Sequence, residues 1–388
     1  MTSVAPTRAR ELVAAACALL ILGCSPPEPA PAPPAAPPRW TFAETHFPGE
    51  AWTSVEPARA LWDEDKLAEA VSIARAAHTT ALVLCYQGRL LFEGYWSVHP
   101  PELEPVTRAN YAKTRLSVLP SGEPLEDVTS IEKSVAALLL AHAVELGLVD
   151  YDDPVRRHLG PGWSRASAAT ESAITLRHIL AMTSGLVDDF EERWPPGTHW
   201  RYAPSNSYWL LPVLEAATER SREELLSEWL AEPIGLANTR WTEHEGVSST
   251  GLATTARDLA RIGILVTNGG RWGDRQVLGE EALAELLTAS QDLNPGYGLS
   301  WWLNRPGALR HEKELQGQRP LPDGPADLVM ALGLMDKQLS VSADEQIVMV
   351  RLGAKMPGRG AETPNAIWRA VLAARPSATT STSPARNE

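Results

Sequence analysis

The stretch "DVTSIEKSVAALLLAHAVELGLVDYDDPV", residues 127–155, sets Ser130 and Lys133 three positions apart at the start of an almost wholly apolar segment. In a helix that spacing puts both on one face, one turn apart, within reach of an amine–hydroxyl contact. A serine hydroxyl is a weak nucleophile and needs a base. A lysine supplies one only if burial or a neighbouring cation brings its pKa down toward neutrality, and a dry cleft at a helix start can do this. The unpaired N–H groups there also favour an anion such as the oxygen of a tetrahedral intermediate. Ser130 as a helix cap followed by a solvated Lys133 would read the same way, and Ser-x-x-Lys pairs arise about once by chance in a chain of this size. Of the six lysines, only Lys133 has a serine three residues before it. Glu132 is one position away, about 100° around the helix, so it is expected to face elsewhere and to interact with the helix dipole.

Such a pair needs a scaffold. "TALVLCYQGRLLFEGYW", residues 80–96, reads as two strands joined by a tight turn at Gln87 and Gly88, with Cys85 a strand-core residue. Between about 130 and 290 the apolar residues recur at three- and four-residue steps and strand signals disappear. "YGLSWWLN" and "KQLSVSADEQIVMVRLG" return to strand character, and "ETPNAIWRAVLAA" closes with a helix. The order predicts an α+β fold: an antiparallel sheet flanked by helices, with an inserted, mainly helical domain. Clefts form where such parts meet.

The remaining ends are of a different kind. Arg8 and Arg10 precede the apolar run "LVAAACALLILG", which is too short to span a bilayer and reads as an export signal over residues 1–23. It ends in "ILGC", which resembles the bacterial lipobox and implies lipid attachment to Cys24; an ordinary signal cleaved nearby is the alternative. Residues 24–42 would be the lipidated cysteine and a Pro/Ala-rich spacer, 43–374 the folded domain, and 375–388 a disordered tail. With Cys17 removed and Cys24 lipidated, Cys85 has no partner for an intrachain disulfide. The net charge of −13 and the lack of any long Lys/Arg block argue against nucleic acid as a partner. Neither a G-x-S-x-G elbow nor a His-Glu-x-x-His zinc motif occurs.

Eight segments in order, "TSIEKSV", "VDYDDPVRRHL", "ITLRHILAMTSGL", "PPGTHWRYAPSNSYWLL", "EPIGLANTRW", "GLATTARDLARIGILVTNGG", "YGLSWWLN" and "QLSVSADEQIVMVRLG", resemble the serine β-lactamase-related hydrolases over about residues 75–370. That superfamily includes class C β-lactamases, D-alanyl-D-alanine carboxypeptidases and family VIII-type esterases. The resemblance implies an acyl-enzyme on Ser130, with Lys133 helping to remove its proton and Tyr202, after the "PPG" turn, shuttling it. A phenol ordinarily ionises near pH ~10, so this tyrosine would need the lysine beside it to act near neutrality. It could equally be a packing residue among Trp194, Trp200, Tyr208 and Trp209.

Two segments depart from the family pattern. Where Tyr-x-Asn is usual the chain reads "YAPSN", with Pro204 at the amide position and Asn206 as its substitute. Where Lys-Thr-Gly or His-x-Gly is usual it reads "GLMDKQL", without the customary glycine at Asp336, Lys337 and Gln338. Gln338 N–H is the candidate oxyanion donor. Lys337 is either a cation for a substrate carboxylate or an exposed edge-strand lysine. The expected protein is a monomeric bacterial envelope lipoprotein, facing the periplasm or in the outer membrane. It would be held to the membrane through its lipid alone and would hydrolyse a small-molecule or peptide-like ester, amide or β-lactam without cofactor or metal. Its alternative is a catalytically silent protein that keeps the fold to bind peptidoglycan-like or acyl ligands.

Overall fold

The computed structural model describes residues 45–243, 250–310, 313–315, 317–355 and 362–376. The export signal, Cys24, the spacer and the tail from residue 377 lie outside the described residues. Among the described residues no helix is long and apolar enough to cross a membrane.

The sequence "TTALVLCY" is apolar at every second position and beyond, and it forms a strand buried on both faces. This is β1 (Thr79–Tyr86), joined to β2 (Arg89–Tyr95) through Gln87 and Gly88. Both turn residues take positive φ, 50° and 74°, the geometry that matches the twist of a two-residue hairpin. A Cβ on Gly88 would collide with the His46 carbonyl, so glycine is required there.

Two short strands, β3 (Arg115–Val118) and β4 (Pro124–Asp127), follow. They pair with β5 (Arg240–Glu243) and β6 (Thr250–Thr254) in a four-stranded sheet ordered β3-β4-β6-β5. Strands therefore do occur within the helical stretch, contrary to the expectation from its pattern. At four and five residues, β5 and β6 are too short to show a period. A small hairpin, β7 (Arg271–Trp272) with β8 (Arg275–Gln276), comes next. The later strands are β9 (Trp302–Leu303), β10 (Leu309–Arg310), β11 (Lys313–Glu314), β12 (Val329–Leu332), β13 (Gln338–Ser342) and β14 (Ile347–Gly353). The main sheet is antiparallel throughout, in the order β2-β1-β14-β13-β12-β9.

Alternation along β1 and β14 divides the core. Leu82, Leu84, Ile347 and Met349 face a layer containing Leu67 and Ala70 of the Glu64–Ala76 helix and Ile367, Trp368 and Val371 of the Glu362–Ala373 helix. Ala81, Val83, Val348 and Val350 face the other, larger layer. There the Ala256–Thr267 helix lies close on the sheet: a Cβ on Gly263 would meet Val348 and Leu339. Cys85 is buried in this layer, and burial raises its thiol pKa, which suits a packing residue.

Behind that face runs the Ile131–Glu145 helix, with apolar residues all round and nearly every side chain buried. Its start is held from two sides. Val128 N–H donates to Leu252 O of β6 at 2.9 Å, and Leu334 N–H, just past β12, donates to Thr129 Oγ1 at 2.7 Å. The small sheet and the large one thus meet at the residues before Ser130.

Candidate active site

Ser130 stands at the cap position of the Ile131–Glu145 helix, but its hydroxyl makes no capping hydrogen bond. Lys133 Nζ lies 3.5 Å from Ser130 Oγ, and the lysine is only 4% exposed. A capping serine followed by a solvated lysine is therefore not what the chain builds. The preceding Thr129 has φ 52°, unusual for a branched residue, and is held there by its N–H donating to Asp127 Oδ1 at 2.7 Å. That turn presents Ser130 to the cleft.

The expected orientation of Glu132 is corrected by the structure. Its carboxylate, 5% exposed, accepts from Lys133 Nζ at 2.7 Å. Cβ directions 100° apart do not separate these side chains, because the lysine's four-carbon arm can sweep around the helix and burial leaves the ammonium no water to turn to. The electrostatics are reversed as well. Burial by itself would pull the Lys133 pKa down, but the Glu132 carboxylate, with Tyr202 and Tyr208, outweighs it and leaves the group above the ordinary lysine value. The salt bridge to Glu132 favours the ammonium form of Lys133. Tyr208, whose ring centroid is 5.9 Å from Lys133 Nζ, is a neighbour that the sequence offered only as one aromatic among several.

Ser130 and Tyr202 line one cleft of about 550 Å³. The Tyr202 ring is set by Trp302, 5.6 Å away between centroids, and by an edge contact with Tyr297 at 6.4 Å. Trp302 lines the cleft, whereas its neighbour Trp301 belongs to the core.

Of the remaining candidates, Lys337 and Gln338 line the same cleft and Asn206 does not. Pro204 opens a short 3-10 turn, Pro204–Trp209, that folds Asn206 inward; Asn206 Nδ2 donates to Ser184 Oγ at 2.7 Å and the residue is not on the cleft wall. Pro204 lines the wall in its place. Lys337 is no exposed edge lysine, since it is fully buried. Its Nζ pairs with Glu126 Oε2 at 2.7 Å and donates to Asp127 O at 2.7 Å, so its charge is spent beneath the site.

Gln338 borders the cleft, but its backbone sits opposite Leu332 of β12 on one side and Arg351 of β14 on the other. Whichever way its N–H points, it meets a neighbouring strand, so it is not a free oxyanion donor. The glycine missing from "MDKQ" is supplied by Gly333, five residues before Gln338. A Cβ there would collide with Val128 O and Thr129 Oγ1, so only glycine lets the strand end approach the serine so closely. Its cue was present in "ALGLMDKQ", ahead of where the family pattern directed attention.

Sequence reasoning also missed Arg351. Its Nη1 donates to Met335 O at 3.2 Å and Asp336 O at 3.0 Å, and its Nη2 to Ala77 O and Ala354 O at 2.6 and 2.9 Å. Met335 and Asp336 both have positive φ, 67° and 58°, so the arginine clamps a strained cleft wall. Burial lowers its pKa to about 10 against the opposing pull of Asp336 and Glu126.

A mixed chain whose antiparallel sheet carries helices on both faces, with a serine and lysine opening a buried helix beside the sheet's edge, has the β-lactamase/transpeptidase fold. The chain belongs to the beta-lactamase family, whose model matches residues 65–372. Three solved structures share the fold at low identity. A penicillin-binding protein homolog from Caulobacter crescentus is 15% identical, with 81% of this chain and 98% of that one covered and a TM-score of 0.58. EstCE1, described as a hydrolase with promiscuous acyltransferase activity, is 16% identical over 81% and 98%, with a TM-score of 0.57. A D-stereospecific amidohydrolase from Streptomyces is 17% identical over 79% and 98%, with a TM-score of 0.52.

Proposed function

We propose that the protein is a serine hydrolase of the bacterial cell envelope, acylated on Ser130 by an ester, amide, peptide or β-lactam carbonyl. The observation that carries this reading is Ser130 itself: uncapped, on the cleft wall, with Lys133 Nζ 3.5 Å from its oxygen. In the reaction Ser130 Oγ bonds to the carbonyl carbon, and its proton passes through Tyr202 to the departing oxygen or nitrogen. Water then attacks the acyl-enzyme, releasing the acid and restoring the serine. Lys133, held as an ammonium by Glu132, acts by electrostatic support of the oxygen anions formed on the way.

Envelope placement rests on "ILGC" and the spacer that follows. Cys24→Ser should move the protein from the membrane fraction to the soluble one; unchanged membrane retention would remove the lipid anchor from the reading. The silent alternative draws on the Glu132–Lys133 pair, which denies Ser130 a neutral amine. Turnover separates the two. Wild-type protein, with Ser130→Ala as the blank, is to be offered p-nitrophenyl esters, nitrocefin and a D-Ala-D-Ala peptide. Turnover of at least one, lost in Ser130→Ala, is expected; equal rates in both proteins leave only the binding reading.

A further inference from the structure

The cleft wall changes character away from Ser130. Along β12, Met330 and Leu332 face the layer of the closing helix, whereas Ala331 faces the other layer. Gln338 lies directly opposite Leu332 and Arg351 directly opposite Gln338, and directly paired residues share one face of a sheet. Lys337 therefore turns to Glu126 behind the sheet, while the Gln338 side chain joins Leu332 on the cleft wall. It is 1% exposed, and its Nε2 has no hydrogen-bond partner among the described residues, a costly state for a buried donor. Two positions past the end of β14, Lys355 lines the same wall; it is half-buried and, among the described residues, makes no hydrogen bond or ion pair. Asp336, the one acid on the wall among the described residues, pulls on the buried Arg351, so its charge faces two cations at this end.

Neighbouring strands stand about 4.8 Å apart, so the row Leu332, Gln338, Arg351 spans about 10 Å. Ser130 is at its β12 end, where Leu334 N–H donates to Thr129 Oγ1 at 2.7 Å, and Lys355 is at its β14 end. Met330 and Leu332 make the wall between them apolar. We propose that the far end of the cleft is an anion subsite, where Lys355 Nζ and the Gln338 amide hold a carboxylate at the tip of the substrate's acyl chain. One carboxylate oxygen takes the ammonium and the other the amide N–H, which gives the orphaned donor its partner. At about 1.5 Å per carbon–carbon bond, about six methylenes bridge the two sites. The substrate class is then half-esters or half-amides of medium-chain dicarboxylic acids. The inference rests on the reading of Ser130 as the acylated residue.

Binding to Ser130→Ala protein, read by tryptophan fluorescence, tests the subsite without turnover. The probes are suberic acid monoamide and octanamide, which differ only in the terminal carboxylate. The monoamide should bind at least about 10-fold tighter, the usual return of a hydrogen bond to a charged group. With a net charge of −13 the protein as a whole repels an anion, so such a preference reports a local cation. Equal affinities, a preference for octanamide, or no monoamide binding up to its solubility limit would overturn the proposal.

Lys355→Met keeps the length of the half-buried side chain and removes its charge, so it should fold and narrow the ratio by about 5-fold or more. Gln338→Leu, of similar volume, should narrow it by about 3-fold through loss of the amide N–H. An unchanged ratio in Lys355→Met, or in folded Gln338→Leu, would overturn the assignment of the subsite. In wild-type protein, kcat/KM for the p-nitrophenyl half-ester of suberic acid should exceed that for p-nitrophenyl octanoate by a similar factor, and Lys355→Met should erase the difference. Ser130-dependent turnover with no preference for the half-ester defeats the subsite but leaves the hydrolase. A monoamide preference that needs Lys355, without Ser130-dependent turnover of any ester, defeats the hydrolase but leaves the subsite.

Discussion

Two buried lysine–glutamate pairs share one N–O separation, yet they do different work. Lys133–Glu132 and Lys337–Glu126 are both 2.7 Å apart and both nearly sealed from solvent. The second pair is closed on itself. Lys337 also donates to Asp127 O, and Glu126 accepts from Thr80 Oγ1 at 2.5 Å, so the pair ties three segments together beneath the site. The first pair is open on one side: Lys133 also reaches Ser130 Oγ and the Tyr208 ring, on the edge of the cleft. The same salt bridge is thus a lock where both groups turn to the scaffold, and a reactive element where one of them points at a nucleophile.

Removing each pair should separate the roles. Lys133→Met alone would leave the buried Glu132 charge without its counter-ion, so the informative variant is Lys133→Met with Glu132→Gln. It should fold and lose about 10²- to 10³-fold in kcat/KM, the usual loss on removing one group that stabilises the developing oxyanion. A loss below a few-fold would make this pair structural too.

Lys337→Met should cost about 3–5 kcal/mol in urea unfolding because it leaves Glu126 buried and unpaired. Adding Glu126→Gln should recover part of that. If instead stability holds and the rate collapses, the two pairs have been assigned the wrong way round.

Glu132→Gln sharpens the comparison through pH. In the wild type Lys133 lies above the usual value of 10.5, so its stabilising contribution is complete below that value and is lost only as pH rises through the higher folded one. With the carboxylate gone, burial works against only the remaining pull of Tyr202 and Tyr208, and the group's pKa falls from its wild-type position. The kcat/KM profile should then decline as pH rises through the lowered value, as the ammonium is lost. A rate that climbs there would mean that neutral lysine is the working base. The smallest effect expected is for Asn206→Ala, which breaks the bond to Ser184: about 1–2 kcal/mol of stability, with KM unchanged.

Local patterns were legible in the sequence. The β1–β2 hairpin, the β13–β14 pair with its turn, the closing helix and the Ser130–Lys133 contact all follow from period, turn residues and one-turn spacing. What escaped depends on partners distant in sequence or on side-chain reach. Lys337 looked exposed because its partner lies some 210 positions away. Glu132 looked averted because Cβ directions were counted and the length of the lysine arm was not. Asn206 was assigned to the cleft from its place in a motif, although Pro204 redirects the turn that carries it.

The central claim is that Ser130 is the nucleophile and that the open pair activates it. A fluorophosphonate probe followed by peptide mass spectrometry tests both parts at once. An adduct on Ser130 is expected in the wild type, none at that position or elsewhere in Ser130→Ala, and labelling slowed at least about 100-fold in Lys133→Met/Glu132→Gln. An adduct on another residue, or labelling of Ser130 at the wild-type rate without Lys133, would contradict it.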